Sequence, residues 1–240
     1  ENYHNIQSAE EGFKTLYPFW DSQEVFFAEY LRLKNLRGPI KILVLKSRQQ
    51  GSSTISEGLI FGKTIFNEAC NTLVLAQDPG QAGYLFNMCR LAYDSLPWWM
   101  RPEARYEANA RYLIFDRKDP AARFANPGLR SQIFVEASNK LSGVAVGKRL
   151  MALHGSERGL WANEKVLTEQ VFPTLHGTDI LAILESTAYG RDNFFYKFWK
   201  GAMNEDSDWS EWSTVFIEAY RSADRYRKSI SIGENFVLTA

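Results

Sequence analysis

KILVLKSRQQGSSTISEGLIFGKTIFNEA, residues 41–69, contains a complete strand–turn–helix unit. Ile42 to Leu45 reads as a buried strand, a polar turn holds Gly51, and a helix opens on Ser53 and Thr54. A helix N-terminus behind a tight turn is an anion site, because unpaired N–H groups and the positive end of the dipole converge there. The usual phosphate loop is G-x-x-x-x-G-K-[ST]. Here Lys46 stands in place of the first Gly, Gly51 is the second, Ser52 replaces the Lys and Ser53 keeps the hydroxyl. The cation has moved to the start of the loop, with Arg48 nearby. Taken alone, the same residues also fit an ordinary βα turn with a solvated Lys and Arg.

The totals narrow the class. The 240 residues suffice for a sizeable core, most simply one domain with a small appendage. Hydrophobic residues are 45% and charged residues 23%, ordinary for a globular protein. Lys plus Arg equals Asp plus Glu at 28 each, so net charge points to no polyanion partner, although a local basic patch is compatible with it. Cys70 and Cys89 lie in apolar, helix-like surroundings and read as buried thiols in a reducing compartment, without metal-binding spacing. No apolar run has the length of a membrane span and no signal peptide is visible. The first residue is Glu and the end has no polar tail, so a fragment of a longer chain is expected.

Along the chain, residues 4–16 carry weak helical periodicity through Ile6, Phe13 and Leu16. A helix is expected from Asp21, as N-cap, to about Arg37, ended by Gly38-Pro39. It carries Tyr17, Pro18 and Gln23 toward the phosphate end of the strand, where the Gln23 amide offers a donor and an acceptor to an adenine edge. A surface Gln on a first helical turn is the alternative. Thr72 to Ala76 is a short buried strand, and QDPGQAGYLFNMCRLAYDSLP a turn and helix. Such alternation marks a parallel α/β sheet. Residues 97–130 break the rhythm with seven basic and four acidic side chains, and read as an antiparallel insertion whose charged face is either solvated or phosphate-contacting. Strands are expected at Ser131–Glu136, Arg149–His154, Asp179–Leu184 and Trp212–Glu218. Helices are expected near Glu164–Leu175, over NFFYKFWKGAM and around Tyr220–Lys228.

Three strand ends carry polar groups: KSRQQGSST, HGSE and ESTA. Ligands of open α/β sheets bind outside the carboxyl ends of strands. Nucleotide hydrolysis needs amides and a cation for the phosphates, a hydroxyl and a carboxylate for Mg²⁺, and a carboxylate that orients water. Glu157, after the apolar run Leu150–Leu153, is the candidate for that last role.

Taken in order, KSRQQGSST, QDPGQAGYLF, LHGSERGLW and ILESTAYGRDNFFYKFW resemble the ATPase domain of the large terminase subunit of tailed bacteriophages, from about Tyr17 to about Glu218. That resemblance implies a P-loop NTPase fold of the additional-strand type, a mainly parallel sheet flanked by helices with an antiparallel insertion. It implies an ATPase domain over 1–218, with 1–39 as an adenine-side segment, 219–240 as the start of a lid or linker, and no C-terminal nuclease in this chain. Lys46 would be the relocated loop lysine, with Ser47, Arg48, Gln49, Gln50, Gly51, Ser52, Ser53 and Thr54 around the phosphates. Ser53 would give Mg²⁺ its hydroxyl, Glu157 would be the catalytic carboxylate and a water-mediated metal contact, and Ser186 and Thr187 would couple hydrolysis to movement. ATP and Mg²⁺, double-stranded DNA, a ring of identical subunits, a portal protein and a small terminase subunit would be the partners, in the cytoplasm of an infected bacterium.

The chain departs from the pattern in two places. Ser156 stands where many P-loop ATPases have Asp, which removes a carboxylate from the metal. The segment SGVAVGKRL has no Arg before Gly147, leaving Lys148, Arg149 and Arg158 as candidates for a basic residue acting on a neighbouring subunit. Two rival readings share these residues: a helicase-like DNA translocase, and a non-hydrolysing nucleotide- or DNA-binding module. Strand separation without capsid dependence marks the first, and binding without turnover the second.

Overall fold

A computed structural model of the chain describes residues 4–8, 12–107, 111–138, 149–161, 166–221, 231–232 and 238–239. The chain begins as a hairpin of β1 (Asn5–Ser8) and β2 (Gly12–Thr15), in place of the helical periodicity that the sequence carries there. The apolar spacing of Ile6, Phe13 and Leu16 coincides with a helical face, but Gly12 adopts φ +71° and turns the chain back on itself. Leu16, buried, then packs toward Gly58, where an added Cβ would lie 2.9 Å from its Cδ2.

Helix α1 (Asp21–Asn35) follows. Its N-cap is Trp20 rather than Asp21, which sits in the first turn, where a carboxylate favours the dipole. Then come β3 (Ile40–Lys46), α2 (Ser52–Ile65), β4 (Asn71–Ala76) and α3 (Pro79–Asp94). Asp78 caps α3, accepting hydrogen bonds from the amides of Gly80 and Gln81. Next are β5 (Arg105–Glu107), β6 (Tyr112–Phe115), the short helix α4 (Pro120–Ala125), β7 (Ser131–Ala137) and β8 (Ala152–Gly155). β9 (Leu181–Thr187), α5 (Phe194–Ala202) and β10 (Ser213–Ile217) complete the main body. The two-residue strands β11 (Ser231–Ile232) and β12 (Leu238–Thr239) pair with each other.

Eight strands form one sheet in the order β10-β3-β9-β8-β4-β7-β6-β5. The first six are mutually parallel, and β6 and β5 add antiparallel at one edge. β9 lies between β3, which leads into the phosphate-type loop, and β8, which leads to Glu157. This interposed strand is the architecture the sequence implied.

Alternation along the strands divides the core. Ile42, Val44, Val74, Ile133, Val135, Ala152, Leu181 and Ile183 face α1, α2 and α3. Leu43, Leu73, Leu75, Phe134, Leu153, Ala182 and Leu184 face α5, Trp161 and the segment 166–175, where Phe198 is enclosed by Phe172, Phe194, Trp209 and Trp212. The same alternation places His154 with Ala152 and Glu185 with Ile183, on the face covered by α2.

Three expected elements differ. The helix near 164–175 is a π-helical turn over Val166–Val171 and a 3-10 turn over Phe172–Thr174, where Pro173 interrupts regular pairing; Glu164 and Lys165 lie outside the described residues. Of the helix around 220–228, a 3-10 turn over Ala219–Arg221 is described and the remainder lies outside the described residues. β9 extends three residues beyond Leu184 and takes in Glu185, Ser186 and Thr187.

The basic side chains of residues 97–130 are largely engaged at the sheet edge. Arg105 and Arg123 both pair with Asp116, Arg117 pairs with Glu103, and Arg111 donates to the Pro79 carbonyl. Three of the seven basic side chains are thus paired with carboxylates of the insertion itself.

Candidate active site

The loop between β3 and α2 is shaped from below by α1. Ser22 Oγ donates to the Gln50 carbonyl at 2.9 Å, and Gln23 Nε2 donates to the Gly51 carbonyl at 3.1 Å. These contacts hold two loop carbonyls on the α1 side. Gln49 and Gly51 adopt φ of 59° and 70°, left-handed conformations of the kind from which amide nests are built. At Gly51 the left-handed backbone favours glycine, and an added Cβ, 2.6 Å from Gln23 Nε2, would also displace the amide that holds the Gly51 carbonyl. The cavity above the loop, about 370 Å³, is lined by Lys14, Trp20, Lys46, Gly51, Ser53 and Glu157 among others. Residues of β1 and β2 form its roof, including Ile6, Gln7 and Lys14.

Lys46 is buried at the end of β3, and its Nζ donates to Glu157 Oε1 at 2.8 Å. The other carboxylate oxygen, Oε2, accepts from the Thr187 amide at 3.2 Å and from Thr187 Oγ1 at 3.1 Å. Ser186 Oγ accepts from the Gly159 amide at 2.8 Å and donates to the Thr187 carbonyl at 2.9 Å. The end of β9 is therefore bonded to both sides of the turn that carries Glu157. Glu157 itself has φ 52° and ψ 47°, a left-handed conformation costing a non-glycine residue on the order of 1–2 kcal/mol. Non-glycine strain of this kind concentrates at functional sites.

Behind the loop lies a buried polar chain. Ser53 Oγ donates to Glu185 Oε1, which also accepts from Ser156 Oγ at 3.2 Å. His154 stands between two carboxylates, with Nε2 3.3 Å from Glu185 Oε1 and Nδ1 2.6 Å from Glu57 Oε1. Cys89 Sγ donates to Glu57 Oε2 at 2.9 Å. Ser53 and Glu57 are one turn apart on α2, so a single helix face meets β8 and β9. Two carboxylate acceptors around one imidazole call for protons on both ring nitrogens.

Burial lowers the His154 pKa, but hydrogen bonds to Glu185 and Glu57 and the charges of both outweigh it and raise it from 6.5 to about 9. Burial raises that of Glu185, yet the Lys46 charge, the His154 bond and charge and the Ser53 bond bring it from 4.5 down to about 2. The raised His154 value contributes stability that is fully present below pH 6.5 and is lost as pH rises through about 9. The depressed Glu185 value contributes stability present above pH 4.5 and lost as pH falls through about 2. Calorimetry between pH 6 and 9.5 should thus show a falling Tm, by about 2–4 °C for each kcal/mol lost. His154→Gln should flatten that fall; an unchanged slope would place the titrating group elsewhere.

The residues singled out from the sequence fall into three groups. Lys46, Ser53 and Glu157 share the cavity, with Gln49, Gln50, Gly51, Ser52 and Thr54, and Thr187 touches Glu157. Ser47 Oγ accepts from Gln50 Nε2 within the loop, and Arg48 is exposed. Gln23 also lines the cavity, but its amide is engaged at both ends, since Oε1 accepts from the Trp20 amide at 3.1 Å. Tyr17 and Pro18 are exposed on the segment before α1.

Of the three basic candidates for a neighbour's site, Lys148 lies outside the described residues. Arg149 is exposed beside the N-terminal end of β8, donating to the His176 carbonyl. Arg158 is 1% exposed, its guanidinium 4.6 Å from the Phe194 ring and 4.9 Å from Trp161. In this structure its charge is therefore packed against aromatic rings of the same chain rather than presented at the surface.

Glu57, His154, Glu185 and Lys14 were not singled out in the sequence. A Glu one turn after Ser53, and polar residues at core-facing positions of β8 and β9, were the available signals. Among the described residues, no group of three or more His, Cys, Asp or Glu side chains is disposed to hold a metal ion, and no helix is long and apolar enough to cross a membrane.

No protein-family model matches the sequence, and no curated protein matches it. Solved structures do match the fold. The ATPase domain of the Thermus phage P74-26 large terminase superposes with TM-score 0.60 at 16% identity, over 76% of this chain and 78% of that one. The large terminase of bacteriophage HK97 gives TM-score 0.64 at 12% identity, covering 98% of this chain and 44% of its own. The large terminase of a thermophilic bacteriophage, in complex with ADP, gives 0.58 at 12% identity over 83% of this chain and 45% of that one. The chain therefore has the fold of large terminase ATPase domains.

Proposed function

We propose that the chain is the ATP-hydrolysing part of a motor that moves double-stranded viral DNA into a preformed capsid. The observation carrying this reading is the meeting of Lys46 and Glu157 above the loop, with Thr187 of the interposed strand bonded to the same carboxylate. The terminase ATPase fold and the ADP complex of one structural neighbour support it.

In this reading the loop amides and Lys46 bind the phosphates of ATP, and Glu157 orients the water that attacks in line. Mg²⁺, when bound, neutralises charge on the phosphates. The residues present fit that ion, since Ser53 and Glu157 line one polar cavity and Mg²⁺ takes few protein ligands beside phosphate oxygens and water. When the γ-phosphate leaves, the contacts between Glu157, Thr187, Ser186 and Gly159 pass the change to β9 and the turn after β8. DNA contacts are to the backbone, because a packaging motor passes any sequence. A ring of identical subunits, a portal protein and a small terminase subunit complete the machine in the bacterial cytoplasm.

A site completed by a neighbour's basic residue makes turnover depend on assembly, and such a residue is worth about 10³–10⁵ in rate. Turnover per chain in Mg-ATP should therefore rise with protein concentration and with added duplex DNA. Nucleotide binding with no turnover at any concentration, DNA included, would instead identify a non-hydrolysing module.

A further inference from the structure

We propose that Glu185 supplies, from the neighbouring strand, the carboxylate that Ser156 lacks, positioning the Ser53 hydroxyl toward the metal of a bound nucleotide. The inference rests on the ATPase reading and goes beyond it by assigning a residue that the loop and acidic motifs do not contain.

The geometry is specific. β8 and β9 run side by side, with His154 opposite Ile183 and Gly155 opposite Leu184, so the next residues bring Ser156 and Glu185 together. Glu185 Oε1 takes three contacts, from Ser53 Oγ, Ser156 Oγ and His154 Nε2. A serine hydroxyl has one proton and two lone pairs. With its proton committed to Glu185, Ser53 has its lone pairs free for a cation. Oε2 of the same carboxylate is buried and has no hydrogen-bond partner among the described residues. A carboxylate oxygen left bare in a fully buried position loses solvation without compensation, and Glu185 reaches the cavity through Ser53, which lines it.

The remaining members hold Glu185 in place. Its backbone position in β9 belongs to the same face as Leu181 and Ile183, where an apolar side chain would serve packing. Buried ion pairs are often replaceable by apolar residues with no loss of stability, so packing alone gives little reason for Glu57, His154 and Glu185 in a row. The row ends on Ser53, a residue of the nucleotide loop, which gives it a chemical direction. His154 fixes the rotation of the carboxylate, and Glu57 fixes the imidazole, as partners behind metal ligands commonly do.

The test separates metal binding from nucleotide binding. A fluorescent ADP is titrated into wild type, Glu185→Gln and the double variant Ser156→Asp/Glu185→Gln, each with and without Mg²⁺, and Mn²⁺ binding to the ADP complex is followed by electron paramagnetic resonance. Metal-free affinity should be nearly the same in all three. The gain on adding Mg²⁺, and Mn²⁺ affinity, should fall about 10–100-fold in Glu185→Gln. The double variant, which returns a carboxylate through the position where many P-loop ATPases carry Asp, should recover most of that loss. An undiminished Mg²⁺ gain in Glu185→Gln overturns the proposal, as does an equal loss with and without metal. Should Glu185→Gln fail to fold, a folded double variant that retains the Mg²⁺ gain supports the proposal. A double variant that folds without that gain, or does not fold, overturns it. Wild type that binds no nucleotide removes the ATPase reading itself, whereas the outcomes above leave that reading standing.

Discussion

Glu157→Gln is expected to lower steady-state ATP turnover by about 10²–10⁴-fold while leaving nucleotide affinity within a few fold, the range over which a positioned acid–base group usually acts. The substitution keeps shape and size but removes the charge that would polarise water. It also disturbs the hold on the side chain. In the wild type, one carboxylate oxygen faces Lys46 and the other faces two donors of Thr187. An amide can present an oxygen to only one of these sides, so its NH₂ group meets either an ammonium or the Thr187 amide. The informative measurement is a single-turnover burst beside equilibrium binding. Retained binding with a slow chemical step assigns Glu157 to the reaction; normal turnover would place the water-activating group elsewhere.

Lys46→Ala should act earlier, on binding. Hydrogen bonds to a charged partner contribute about 1.5–3 kcal/mol, which corresponds to roughly 10–150-fold in affinity. Weaker nucleotide binding is expected together with reduced turnover, whereas Glu157→Gln separates the two. The loss extends further, because the Lys46 charge is among the causes holding Glu185 in its ionised form. Lys46→Arg should not rescue, since a planar guanidinium differs from a compact ammonium in shape and reach, and this position is 6% exposed. Equal affinity and turnover in Lys46→Ala and wild type would show that the loop cation has been misassigned.

The apolar runs at 42–45, 72–76 and 131–136 announced their strands because residues buried on both faces leave little alternative. The relocated lysine, Gly51, Ser53 and Glu157 were legible for a related reason: strand ends are where an α/β sheet binds ligands. The hairpin at 5–15 was not, because its strands are four residues each and three apolar positions happen to suit a helical face. Glu185 was hidden by boundary placement. Ending the strand at Leu184 turns ESTA into a loop, whereas the pairing of Glu185 with Val44 keeps it inside the sheet. His154 likewise reads as the last residue of an apolar strand, and only its neighbours across the sheet reveal two carboxylates. Contacts among side chains on three different elements leave no mark in the spacing of any one of them.

The placement of β3 bears on how the protein is made. Its ladder partners are β9 and β10, with Ile40 beside Leu181 and Ile42 beside Ser213. Neither neighbour in the sheet is near it in the chain. Loop-closure entropy has to be overcome before such distant pairings form, and contacts of this kind slow folding. During synthesis, β3 and its loop leave the ribosome long before β9 and β10 exist. The carboxylate of Glu157 and the donors of Thr187 also arrive late. A nascent chain therefore carries the loop as an unpaired apolar strand, exposed to chaperones and to edge association, until its last third emerges.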